Sequence, residues 1–328
     1  MAFIAVVVAA SSLAVYLYWP YKSRFASTYY LTPMTHIFAA VGAFLFSRRW
    51  IGSQMASFFA AMLYAFGPFA LSLDIWHPAI PSLLAIVPWL FCPAAFWTGW
   101  FLSAMKLPRS VRLAISMVLS LLPLVPIVLV FKVLPQFHIF PMPVRAGLAP
   151  ADFMTLAQPT HIIGARCSVG FYHAAIPALA LGLAIFIRLK RMLPGLMLLT
   201  AIVLTFMPPV FDISPAIWGT IGILGLSLIA GLGMDGMTLI TMADMKWLFV
   251  SLAATGLVLL TSLVIGLMQT PPDMFSVRLF AIALLPPALI AAMVWRNVRI
   301  RQLRWLFIAV AMVIDLVLSS RQLLDRLF

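Results

Sequence analysis

Asp74 and His77 stand three residues apart in SLDIWHPAIPSLLAIVPWL, the stretch from Ser72 to Leu90, between two apolar runs. The chain has no glutamate, eight aspartates and five histidines, so an acid beside a histidine is rare here. A loop acid next to a cavity can act as a general base if it reaches the proton it takes, and His77 can tune it or bind a phosphate. The plainer reading is that a short loop touches water and accepts polar residues. Asp74 then caps the following helix or pairs with an arginine.

A second constellation lies in WPYKSRFASTYYLT, Trp19 to Thr32. Lys22 and Arg24, with Tyr18, Tyr21, Tyr29 and Tyr30, suit a lipid-linked phosphate: arginine offers a forked donor and lysine a point charge. His161 and Arg166, in a longer loop, add to the candidate phosphate-binding set. Against this stands the interfacial belt, in which tyrosine, tryptophan and basic residues anchor helix ends at lipid headgroups.

Asp315 falls inside an apolar run, FIAVAMVIDLVLSS. A charge there costs several kcal/mol, which predicts a protein-facing side chain with a partner. Ion coupling, a structural pairing and a contact with another subunit all fit a lone acid. The GLGMDGM stretch, Gly231 to Met237, lacks the lysine and strand–helix context of a phosphate loop, and reads as glycines ending one helix and reversing the chain. The five histidines and two cysteines show no metal-ligand spacing, and no cofactor is expected. Cys92 lies in an apolar run and Cys167 in a loop, which disfavours a disulfide.

The elements that must position these residues follow from composition. Apolar residues make up 64% of 328 positions and charged ones 9%, against about 25% charged in soluble domains. Such a chain cannot clothe itself in polar surface. It reads as an all-α, polytopic membrane protein of one domain, residues 1–328. Its net charge of +13 comes from short basic clusters between apolar runs, the mark of cytoplasmic loops rather than of nucleic-acid binding. Runs long enough for a core of about 30 Å predict eleven helices, near 1–18, 33–50, 53–73, 79–103, 112–134, 173–190, 192–209, 215–233, 247–269, 277–296 and 304–320. The first apolar run has no basic flank and reads as a helix, not a cleaved signal.

Lysine and arginine set the expected orientation. With the N-terminus inside, 13 of the 21 basic residues fall on the cytoplasmic side and 8 outside, which predicts N-in and C-out. All five histidines then lie in or near the outer half, with Asp74, Asp152, Asp212, Asp273 and Asp325. The segment 135–172 is the longest outer loop. In it, LAPADFMTLAQP reads as a short interfacial helix capped by Asp152.

These segments, in this order, resemble the membrane module of bacterial GT-C-type glycosyltransferases, in particular the YfhO-like branch. The likeness rests on THIFAAVGAFLFSRRW, FFAAMLYAFGPFALSL, HPAIPSLLAIVPWL, LAPADFMTLAQPTHIIG, FYHAAIPALALGLAIF and ILGLSLIAGLGMDGM, over most of residues 30–240. The resemblance implies a GT-C-like helical bundle in a bacterial inner membrane, and transfer of a sugar from a polyprenyl-phosphate carrier on the outer face. Members generally use an acid in the first outer loop as base; here that loop has none. Two functions follow: a glycosyltransferase with Asp74 as base, or a non-catalytic accessory subunit that contacts lipids and other membrane proteins. A lipid or ion transporter resting on Asp315 is a third.

Overall fold

A chain in lipid must pair its backbone N–H and C=O groups within the protein, and helices do this segment by segment. The computed structural model describes residues 2–22, 31–76, 80–104, 108–133, 171–189, 192–207, 215–268, 274–296, 298 and 300–327. Among them no strand occurs. The helices are α1 (Ala2–Tyr18), α2 (Leu31–Ser47), α3 (Gln54–Phe66), α4 (Pro68–Trp76), α5 (Ile80–Ala104), α6 (Arg109–Leu121) and α7 (Leu124–Val133). There follow α8 (Ile176–Leu189), α9 (Met192–Phe206), α10 (Pro215–Leu239), α11 (Met245–Met268), α12 (Met274–Trp295) and α13 (Arg301–Leu327). Six stretches of the described residues are long and apolar enough to cross a membrane: Phe3–Tyr21, Gln54–Ser72, Ser110–Leu129, Trp218–Leu239, Met242–Thr261 and Gln302–Asp325.

Every apolar run read as a span carries helix, but two are divided. The run near 53–73 breaks at Gly67 into α3 and α4, and the run near 112–134 breaks at Leu122 and Pro123 into α6 and α7. Thirteen α-helices therefore stand among the described residues where eleven helices were expected. The last helix also reaches farther than expected. Asp325 belongs to α13, not to a tail; Arg321 Nε lies 3.6 Å from its carboxylate, and the Tyr21 hydroxyl donates to it.

Gly231 to Met237 is a further correction. The stretch neither ends a helix nor reverses the chain, because α10 continues to Leu239. Its glycines serve packing. A Cβ on Gly233 would stand 1.7 Å from the Ala178 carbonyl oxygen, and one on Gly182 would stand 1.9 Å from that of Ile229. Thus α8 and α10 cross backbone against backbone, the small-residue solution to helix association in lipid. On another face, Gly231 admits Ile51 and Ala60. With α9 as a third neighbour, α10 forms the centre of the bundle. Around it, α2 packs on α1, α3 and α5, α11 on α8 and α12, and α13 on α12, α4 and α10.

Candidate functional site at a broken helix

The sequence YAFGPF places a glycine and a proline in the middle of an apolar run. Gly67 is extended, with ψ 159°, and Pro68 opens α4 without an N–H to offer. The last carbonyls of α3 therefore lose their helical partners, and each needs another donor. Neighbouring side chains supply two. His36 of α2 bonds the Ala65 carbonyl through Nδ1, and the Tyr172 hydroxyl donates to the Phe66 carbonyl. The same logic operates in α5. Pro88 leaves the carbonyl of Leu84 free, and the Tyr64 hydroxyl donates to it at 2.8 Å.

A carbonyl can only accept, so Nδ1 of His36 carries a proton. In the neutral ring Nε2 is then the acceptor, and the Tyr18 hydroxyl lies 2.8 Å from it. The imidazole stacks between Tyr18 and Phe66, with ring centroids 5.5 and 5.4 Å away. Tyr18 and His36 are both wholly buried. Tyr18 thus belongs to the interior, not to the interfacial belt.

From Tyr172 the polar groups continue into α13. Its hydroxyl lies 2.5 Å from the Ser320 hydroxyl. Its neighbour Ser319 donates to Asp315 Oδ1, one turn back, at 2.7 Å. The other carboxylate oxygen accepts the Ala174 backbone N–H, also at 2.7 Å. Ala174 lies in the 3-10 turn His173–Ala175 that leads into α8. Asp315 therefore caps a helix 141 positions away in sequence, with its carboxylate at the positive end of that helix. His173 Nδ1 stands 3.9 Å from the same carboxylate, and both side chains are buried. A buried acid is costly when bare; here an N–H, an O–H, an imidazole and a helix terminus surround it.

The other sequence-derived candidates stand apart from this cluster or beyond the described residues. Asp74 lies in the last turn of α4 rather than in a loop. His77, Arg24, Tyr29, Tyr30, His161 and Arg166 lie outside the described residues, as does the expected interfacial helix of 135–172. Lys22 follows the 3-10 turn Trp19–Tyr21, with its ammonium 4.6 Å over the Trp19 ring. Among the described residues no cluster of histidine, cysteine and acid can hold a metal ion.

Two cavities frame the chemistry. The larger, of about 470 Å³, is almost wholly apolar; Tyr16, Met55, Met62, Met234, Trp305 and Val317 are among its walls. The smaller, of about 210 Å³, includes Arg188, Asp244 and Trp247 at the opposite end of α8 from Asp315. The polar cluster opens into neither. Its geometry holds helices together: the carbonyls of Ala65 and Phe66 only accept, so a proton cannot be handed along this route from His36 to Tyr172.

No family model, curated protein or solved structure matches the chain.

Proposed function

We propose that this chain is a GT-C-like inner-membrane protein that serves as a non-catalytic accessory subunit of a larger membrane assembly. The observation that carries the reading is the closure of the polar cluster. Asp315, His36 and Tyr172 engage backbone groups at helix ends and breaks, and none of them lines the larger cavity. An enzyme needs an acid or base within reach of substrate. In this reading the buried polar residues give the bundle a fixed shape that partners and lipids recognise.

The competing reading is an active glycosyltransferase that uses a polyprenyl-phosphate-linked sugar. It draws on Asp74, at the end of the half-helix that follows the break. Purified protein incubated with a radiolabelled polyprenyl-phosphate sugar and candidate acceptors separates the two. The accessory reading expects no transfer, and a native mass in gently solubilised membranes well above the 36.2 kDa of one chain. Sugar transfer that vanishes in Asp74→Asn, in a protein that still folds, overturns it.

A further inference from the structure

The larger cavity is an apolar groove walled by α1, α3, α10 and α13, and among the described residues no charged side chain lines it. The smaller one differs. Its volume is about 210 Å³, below the about 300–1,000 Å³ of pockets that enclose a drug-sized ligand. It suits a small headgroup rather than a long chain. Where α8 and α10 touch, at Gly182 and Gly233, there is no room for a ligand. The pocket opens between their last turns, with Trp247 of α11 as a third wall.

Two opposite charges line it: Arg188 in the last turn of α8, and Asp244 in the 3-10 turn Met242–Asp244 that leads into α11. Asp244 stands one residue before α11, where an acid often caps helix amides. Here its Oδ2 accepts the Thr241 hydroxyl at 3.0 Å instead, and Oδ1 has no partner among the described residues. The Arg188 guanidinium makes no hydrogen bond there either, and no ion pair joins the two. The neighbouring cations are not ligands. Arg304 is buried and donates to the Ile240 and Val298 carbonyls at 2.7 and 3.1 Å, and Lys246 is exposed and outside the lining. The pocket therefore presents a forked donor and a carboxylate oxygen, both unmatched.

Its depth indicates where an occupant comes from. The apolar stretch of α10 ends at Leu239 and that of α11 starts at Met242. The charged rim thus lies where an apolar bundle meets lipid headgroups, while Ile185 and Leu181 continue the wall one and two turns deeper along α8. A phosphate fits the arginine fork. The C-termini of α8 and α10 end at the same rim and carry partial negative charge, which favours a cation beside Asp244. A primary ammonium can donate hydrogen bonds to the carboxylate; a quaternary one cannot, and a single indole is no aromatic cage for it.

We infer that this pocket binds the zwitterionic headgroup of phosphatidylethanolamine, with its phosphate on Arg188 and its ammonium on Asp244. The acyl chains leave along Ile185 and Leu181. The site is independent of catalysis: it lies at the far end of α8 from Asp315 and shares no residue with the candidates for sugar transfer.

Native mass spectrometry after detergent exchange tests it. The probes are dioleoyl-phosphatidylethanolamine, dioleoyl-phosphatidylcholine, dioleoyl-phosphatidylglycerol and chain-free glycerophosphoethanolamine. Wild type should keep one phosphatidylethanolamine per chain and lose the other two lipids, since choline cannot donate to Asp244 and glycerol brings no cation. Asp244→Asn and Arg188→Gln should each lower its retention at least about tenfold, the effect of losing one charge-assisted hydrogen bond. Asp244→Asn should also erase the preference over phosphatidylglycerol. Arg188 is exposed and Asp244 half-buried, so both variants should keep wild-type helix content and a single elution peak. If one fails to fold, the other decides, and the headgroup series on wild type needs neither. Equal retention of phosphatidylethanolamine and either other lipid, full retention in a folded variant, or displacement by equimolar glycerophosphoethanolamine would each overturn the inference.

Discussion

The α8–α10 crossing and the cluster around the α3–α4 break join helices by opposite means. At the crossing there is no side chain to speak of: Gly182 and Gly233 bring two backbones into contact. At the break, side chains do all the joining, with His36, Tyr172 and Asp315 reaching into neighbouring elements. Lipid tails are as apolar as leucine, so water does not drive helices together within a bilayer. Close packing and polar ties remain. The first tolerates no added atom, whereas the second tolerates changes that leave the donor–acceptor pairing intact. The crossing should therefore fail abruptly on substitution and the cluster by degrees.

Four substitutions order that contrast by size. Gly233→Val should be the most damaging. Its side chain collides with the Ala178 backbone, so its cost should exceed the about 1–3 kcal/mol usual for overpacking, with loss of a monodisperse peak in detergent. A Gly233→Val protein that melts like wild type would mean the helices do not cross this closely. Next comes Asp315→Leu, which strands the Ala174 N–H and the Ser319 hydroxyl. A buried donor left without a partner costs about 1–3 kcal/mol, and Asp315→Asn should recover part of it by keeping one acceptor. Equal melting curves for the two variants would remove the capping role.

Tyr172→Phe should cost less, about 0.6 kcal/mol and at most about 1.7 kcal/mol, the mean and maximum found for hydrogen bonds between membrane helices. It leaves the Phe66 carbonyl without this donor, and faster hydrogen exchange around the break is the signature to look for. Gly256→Ala is the control. A Cβ there meets nothing within 4 Å, and alanine is the better helix former by up to about 1 kcal/mol. Thermal melts should show no loss; a loss would mean that α11 has a close neighbour at this position.

The sequence made the helices easy to read and their joints hard. Apolar runs mark the helical stretches because length and composition are local properties. The break at Gly67–Pro68 was missed because prolines are common in membrane helices and do not by themselves announce a discontinuity. Gly231 to Met237 was misread because a glycine that ends a soluble helix and one that lets membrane helices touch look the same in one dimension. Asp315 was legible as a buried acid in search of a donor. Its cap on α8 was not, since the receiving N–H is far away in sequence. A usable signal for the cluster was present: YAFGPF frees carbonyls in an apolar setting, which obliges histidines or tyrosines such as His36 and Tyr172 to meet them.

Two walls of the apolar groove come from α1 and α13, and the acid that caps α8 also lies on α13. A ribosome delivers α1 long before α13. Until α13 inserts, α8 begins with an uncapped turn, and α1 has an open flank along the groove. Closure of the groove and capping of α8 are then a single late event, so a stalled or shortened chain would present both defects together to the quality-control machinery of the membrane.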